Sequence, residues 1–453
     1  MDPLDPVIPA TPPLDPDEYP VAIVGAGPSG LAAAAHLARK GEPFVVLEAG
    51  PSAATSVRAW EHVTLFTPWK YSVDAEAVAL LASGHDPWSP PGPDADHYHY
   101  HYPTGGELVT HYLEPLAAHP AIAPHIRYGR RVTTIAHDDL GKLEGGRDED
   151  TFILLAETPD GTVERYDARA VVDASGVWSQ PNPIGANGLP VAGEERFRDR
   201  IALRIPDVLG RDRARYAGQR TLVVGSGHSA MHVLAALVEL AKTEPGTSAI
   251  WALRRELTEE TFVACDGPLT EQTLILRDIR DLVEDGQIEA WGGVRIRELV
   301  AEPDGSGVIA RTRAGDLPPV DRIVVATGFR PDHAIARELQ LDLHPVFECA
   351  YGIATLVDPA ANACGTVPPH GAAQLAHPEP DFYIVGNKSY GRAPTFLLYT
   401  GYEQVRSVVA ALTGDIEGSA VALDLPERGL CSACTAYLEE QDALNDATSP
   451  ATA

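Results

Sequence analysis

Val21-Ala22-Ile23-Val24-Gly25-Ala26-Gly27-Pro28-Ser29-Gly30 is the stretch that decides the fold. Four apolar residues predict a short buried strand and the glycines a tight turn. Leu31 to Lys40, rich in alanine and leucine, predicts a helix that Gly41 stops. Pro43 to Glu48 predicts the next strand and completes a strand–helix–strand unit. In such a turn the first glycine supplies unusual backbone angles and the second lets the backbone approach a pyrophosphate. The third lets helix and strand pack closely. Phosphates then meet unpaired amides at the positive end of a helix dipole. Glu48 ends the second strand. A carboxylate there accepts hydrogen bonds from ribose hydroxyls and repels a 2′-phosphate, which suits FAD or NAD and not NADP.

The pattern recurs two hundred residues later as Thr221-Leu222-Val223-Val224-Gly225-Ser226-Gly227-His228-Ser229-Ala230. Ala230 to Lys242 predicts the helix and Ala249 to Leu253 the second strand. That strand ends in Arg254-Arg255, not in an acid. Guanidinium forks suit a 2′-phosphate, so the second site is expected to take NADPH; the alternative is a pair of solvated surface charges. Ala170 to Gly176 and Arg322 to Phe329 echo one another, each an apolar strand running into Ala-Ser/Thr-Gly. Two dinucleotide domains of related plan follow. FAD resides at the first and NADPH exchanges at the second, so electrons run from the Gly225 loop to the Gly25 loop.

The chain has 453 residues, too many for one core. The expected fold class is α/β, with two Rossmann-like dinucleotide-binding domains, the NADPH domain inserted in the FAD domain. We expect a flexible arm at 1–19, FAD domain at 20–185, NADPH domain at 186–328, FAD domain again at 329–413, and a tail at 414–453. A formal net charge of −29 speaks against nucleic-acid and anionic-membrane partners. Neither a membrane span nor a signal peptide is legible, so a cytoplasmic location is expected. Five cysteines (Cys265, Cys349, Cys364, Cys431 and Cys434) are too few and too odd in number for a disulfide framework. His97, His99 and His101 alternate with tyrosines. On one face of an extended segment they have the chemistry of metal ligands, but the expectation is an aromatic loop leading into a helix at Gly106 to Leu116, with no metal site.

These motifs resemble the two-dinucleotide-domain flavoproteins: NADPH-using, single-component flavin-containing monooxygenases and their thioredoxin-reductase-like relatives. The resemblance spans residues 19 to 412. It rests on Val21 to Glu48, Tyr102 to Leu108, Asp173 to Pro183, Thr221 to Ala230, Ala326-Thr327-Gly328 and Tyr383 to Gln404. It implies that Gly25, Gly27, Pro28, Ser29 and Gly30 hold the FAD pyrophosphate and Glu48 its ribose. It places Val132 beside the adenine through its backbone, and Gly386 and Asn387 near the ribityl chain. A helix starting at Pro394-Thr395 would point amides at the flavin. Gly225, Ser226, Gly227, His228 and Ser229 would hold the NADPH pyrophosphate, and Thr327 belongs to the same domain's return strand.

The activity implied is oxygenation of a small molecule by O2 through a C4a-(hydro)peroxyflavin. The sequence departs from these monooxygenases where a Phe-x-Gly-x-x-x-His fingerprint is usual: Val191-Ala192-Gly193 leads to Phe197 at the histidine position. Asn387 stands where the reductase relatives usually carry an acid. A disulfide reductase needs a cysteine pair within reach of the flavin. Residues 50 to 70 hold none and the NADPH domain only Cys265, which leaves Cys431-Ser432-Ala433-Cys434 as a thiol, disulfide or metalloid relay or as ordinary reduced thiols. A homodimer is compatible with all this. Lys388 and Arg392 flank the flavin-side turn and are the candidate catalytic residues.

Overall fold

Val21–Val24 is wholly buried and pairs in parallel with Phe44–Glu48 on one side and Ala170–Asp173 on the other. In the computed structural model, which describes residues 19–82, 101–262, 270–362 and 366–423, these three strands are the centre of a five-stranded sheet. Ile126–Tyr128 extends it beside Phe44–Glu48, and Phe382–Ile384 beside Ala170–Asp173, all in parallel. The helix Pro28–Lys40 packs through Leu31 and through Ala32, Ala34 and Ala35, whose small side chains let it lie close to the strands. Val405, Val408 and Val409 of the helix Leu398–Leu412 join the same core. On the other face, Val132, Ile135 and Leu154 of an antiparallel sheet meet Ala22, Val24 and Leu47. That sheet orders Arg131–His137, Phe152–Glu157 and Val163–Ala168, each antiparallel to the next.

This first unit runs through Val177 and resumes at Pro331; the second includes Trp178–Arg330. The second unit has its own five-stranded parallel sheet: Ile288–Trp291, Ser248–Ala252, Arg220–Val224, Arg322–Val325 and Ile201–Ala202. Helices His228–Ala241 and Thr270–Glu284 contribute to the core on one face. The hairpin Ile296–Ala301/Val308–Thr312 closes the other. No helix among the described residues is long and apolar enough to cross a membrane.

Two predicted elements differ in extent. The last helix begins at Leu398, not at Pro394-Thr395. Thr395 Oγ1 donates to the Val357 carbonyl and the Phe396 ring meets Tyr390 edge-on, so tertiary contacts hold residues 394–397 out of the helix. The helix expected at Gly106 to Leu116 is Gly105–Leu108, a π turn at Val109–Leu113 and Glu114–Ala118. His97, His99, Cys265, Cys364, Cys431 and Cys434 lie outside the described residues, as does most of the 1–19 arm and the tail beyond 423.

Candidate dinucleotide sites

The two glycine turns are built alike. Gly25 has φ +100° and Gly225 φ +135°, backbone angles that favour glycine. A methyl at Gly25 would lie 2.9 Å from the Ala174 carbonyl oxygen, and one at Gly225 would lie 2.2 Å from that of Ala326. Each turn is thus wedged against its own return strand, the pair of segments that echo one another in sequence. A methyl at Gly30 would lie 1.9 Å from the Gly25 carbonyl oxygen, the close helix–strand approach a third glycine permits. Gly27 and Gly227 are different: a methyl on either meets nothing within 4 Å. Both middle glycines face open space, as a backbone that cradles a pyrophosphate must.

The helix ends agree. Gly27 caps the Pro28–Lys40 helix, Gly227 the His228–Ala241 helix and Leu397 the Leu398–Leu412 helix. None has a side-chain cap and none carries an acid in its first turn, in a chain with 64 acidic residues. Elsewhere the same chain caps helices with Asp74 and with a Thr104–Glu107 capping box. The amides of Ser29, Gly30, Ser229, Leu398, Tyr399 and Thr400 have no acceptor among the described residues. Three positive helix ends are left for anions or electron-rich ligand atoms.

Glu48 does more than wait for a ribose. Its Oε2 accepts from the Ala26 amide and its Oε1 from the Gly50 amide, both at 2.7 Å, which fixes the glycine turn. Each oxygen keeps a lone pair. Val132 lies on the outer strand of the antiparallel sheet, beside a register shift between Val132 and Thr134. Gly386 (φ +70°) opens the turn Gly386–Tyr390, where a methyl would lie 2.5 Å from Ser29 Oγ. The turn thus packs against the first helix beside its glycine loop, and Asn387 follows on the same turn. Thr395 is buried short of the last helix.

The two catalytic candidates differ in environment. Lys388 is buried, and its Nζ donates to Asp173 Oδ2 at 2.7 Å and to Ser175 Oγ at 3.1 Å. Burial pushes the Asp173 carboxyl up, but Lys388 and the Ser175 hydrogen bonds outweigh it and hold it below its usual range. Arg392 is half-exposed and pairs with Glu348 at 2.8 Å. Sequence reasoning did not single out Asp173 as a partner, because it lies 215 residues from Lys388.

In the second unit Ser226, Gly227 and Ser229 are exposed. Burial and the neighbouring His232 push His228 down to about 4, so it is neutral at pH 7. The Gly225 amide donates to the Ala252 carbonyl, which ties the turn to the end of the Ser248–Ala252 strand. Arg254 and Arg255 follow that strand end, both exposed. Thr327 Oγ1 donates to the Asn182 carbonyl; Asn182 Nδ2 donates to the Thr327 carbonyl, and its Oδ1 is buried with no hydrogen-bond partner. Gly193 and Phe197, at the departed fingerprint, have structural work. A methyl at Gly193 would lie 2.2 Å from the Leu299 carbonyl oxygen, and Phe197 is in the core.

Among known proteins, the chain is similar to indole-3-pyruvate monooxygenase YUCCA1 of Oryza sativa subsp. japonica, 31% identical over 218 residues, covering 47% of this chain and 43% of that protein. It is 32% identical over 222 residues to indole-3-pyruvate monooxygenase YUCCA8 of Oryza sativa subsp. indica, covering 48% and 45%. The chain thus spans about half the length of the curated relatives it matches. Its fold is similar to that of the bacillithiol disulfide reductase Bdr of Bacillus cereus, with TM-score 0.64, 18% identity, and coverage of 87% of this chain and 99% of that one. It is similar also to DfoA of Erwinia amylovora, a cadaverine monooxygenase whose structure was solved bound to FAD, with TM-score 0.60, 14% identity, and coverage of 91% and 98%. Residues 22–348 match the pyridine nucleotide-disulphide oxidoreductase family, and with its two dinucleotide-binding units the chain belongs to that family of flavoproteins.

Proposed function

We propose that the protein is an FAD-containing, NADPH-dependent monooxygenase that oxygenates a small molecule with O2. The observation that carries the cofactor pair is the contrast between the strand ends beside two alike glycine turns: the Glu48 carboxylate at one, exposed Arg254 and Arg255 at the other. The donor sets fit. Open space over Gly27, uncapped amides at Ser29 and Gly30, and the spare lone pairs of Glu48 suit the pyrophosphate and ribose of FAD. Gly386 and Asn387 lie on the turn packed against Ser29. The amides of Leu398 and Tyr399 supply donors for an electron-rich flavin edge. Gly225 to Ser229 suit a second pyrophosphate, with the guanidiniums of Arg254 and Arg255 for its 2′-phosphate.

Bound flavin supplies acceptance of hydride and activation of O2. The chain's part is to hold both nucleotides, orient them and keep protons in place. Neutral His228 adds no positive charge at the second helix end, so phosphate binding there relies on amides and arginines.

Monooxygenation is favoured over disulfide reduction by the names of the sequence relatives. Among the described residues Cys349 is the free cysteine; it is buried, and burial pushes its thiol up to about 11, far from a reactive thiolate.

The test is coupling. Purified protein with FAD and NADPH is given a panel of 2-oxo acids, amines and thioethers, and NADPH consumption, O2 uptake and peroxide release are measured together. A monooxygenase consumes NADPH and O2 one to one, with product replacing peroxide for at least one compound class. NADPH-dependent thiol release from a disulfide, abolished by C431S/C434S, would establish the reductase instead.

A further inference from the structure

A buried polar chain lies beneath the turn Gly386–Tyr390 and has no part in the reading above. Gln404, on the Leu398–Leu412 helix, is wholly buried. Its Oε1 accepts from the Gly386 amide at 2.9 Å and from Ser389 Oγ at 3.2 Å. Its Nε2 lies 2.8 Å from His370 Nε2 and 2.8 Å from Ser389 Oγ. His370 is also wholly buried, and its Nδ1 lies 2.9 Å from the Pro368 carbonyl oxygen.

These partners fix the tautomer. A carbonyl only accepts, so Nδ1 carries the proton; an amide nitrogen only donates, so Nε2 is the bare acceptor. Gln404 is thereby oriented with its oxygen toward Gly386. A flipped amide would set its NH2 against the Gly386 N–H. One imidazole lone pair thus decides which way the glutamine faces.

We propose that His370, acting through Gln404, is a positioning residue that locks the Gly386–Tyr390 turn in its cofactor-holding form and releases it when Nε2 gains a proton. The part concerning FAD rests on the function proposed above; the lock on the turn does not. Protonated His370 sets an N–H against the Gln404 amide group, and two donors cannot share that contact. Gln404 must turn or withdraw, and the buried Gly386 amide loses its acceptor, while the Ser389 hydroxyl keeps only the Gly386 carbonyl at 2.7 Å. Gly386 then loses its register against Ser29, beside the first glycine loop.

Other charges do not intervene. Of the titratable groups on the elements packed here, Lys388 is engaged by Asp173, Glu403 by Arg406, and Tyr390 presents its ring to His370 at 5.5 Å while its hydroxyl meets Thr400. Burial holds His370 below its ordinary range, and the Pro368 carbonyl opposes this. The turn is therefore locked at neutral pH and opens only on acidification below the ordinary imidazole range.

The experiment compares the wild type with H370Q, whose amide offers an acceptor that does not titrate, and H370F, which offers none. Amide hydrogen exchange across residues 386–391 is followed by mass spectrometry from pH 7.5 to 5, corrected for intrinsic rates. FAD dissociation is followed in parallel by recovery of free-flavin fluorescence. The lock predicts exchange about tenfold faster in H370F at pH 7.5. In the wild type it predicts exchange and FAD release that rise together on acidification, and in H370Q a flat profile for both. Equal exchange in all three proteins across the range overturns the lock. Exchange that behaves as predicted in a protein that binds no FAD overturns the cofactor reading and leaves the lock standing.

Discussion

Lys388 Nζ stands 2.7 Å from Asp173 Oδ2, with both side chains withdrawn from solvent and 215 residues between them in sequence. The pair joins the end of the central strand Ala170–Asp173 to the turn that follows the edge strand Phe382–Ile384. It accounts for Lys388 as a structural charge whose removal strands its partner. Lys388→Met is expected to cost about 3–5 kcal/mol in urea unfolding at pH 7, and Asp173→Asn added to it should recover much of that. The deficit of the single variant should shrink toward pH 4 as Asp173 takes up a proton. An unchanged midpoint in Lys388→Met would remove the pair from the account of stability.

The middle and third glycines of the first turn should fail differently. A methyl at Gly27 meets nothing in the protein, so Gly27→Ala should fold with an unchanged thermal midpoint while FAD affinity falls at least about tenfold. A methyl at Gly30 would overlap the Gly25 carbonyl, so Gly30→Ala should lower the midpoint even without FAD. Calorimetry of the apo-proteins and flavin titration separate the two.

Arg254 and Arg255 are exposed, and replacing both by alanine should leave stability within about 0.5 kcal/mol. The preference for NADPH over NADH, measured as the ratio of kcat/KM values, should fall by about ten- to a hundredfold through the NADPH term. An unchanged ratio would return both residues to the solvated surface.

A buried network ties Glu379 to Arg147 and His137, with Oε1 2.8 Å from each, while the Gln340 amide donates to Oε2 at 2.7 Å. Burial alone would push the Glu379 carboxyl up. The hydrogen bonds from His137, Arg147 and Gln340 outweigh it and bring it down to about 2. The native value lies below the unfolded one, so the contribution is full above about 4.3 and is lost as pH falls toward 2. Urea midpoints measured from pH 6 to pH 2.5 should fall steeply in the wild type and less so in Glu379→Gln, which starts lower.

Gly25 to Gly30, Gly225 to Ala230, Glu48 and Arg254-Arg255 were legible as a chain of letters because each lies within one local unit. A strand, a turn and a helix start are fixed by residues a few positions apart, and the strand-end residue is fixed by the length of that unit. The two echoing return strands were legible for the same reason. Periodicity carried no sign that Asp173 receives Lys388, that Glu379 gathers His137 and Arg147, or that His370 orients Gln404 toward Gly386. Each is a buried polar group whose partner comes from a distant segment, and burial without a partner is what makes the pairing obligatory. The start of the last helix was misplaced by the same kind of cause, since contacts of Thr395 and Phe396 overrode a proline that reads as a helix start. Local rules settled that two dinucleotide units exist and how their glycine turns are built; long-range desolvation settled which buried polar side chains pair across distant segments, among them those that hold the Gly386–Tyr390 turn.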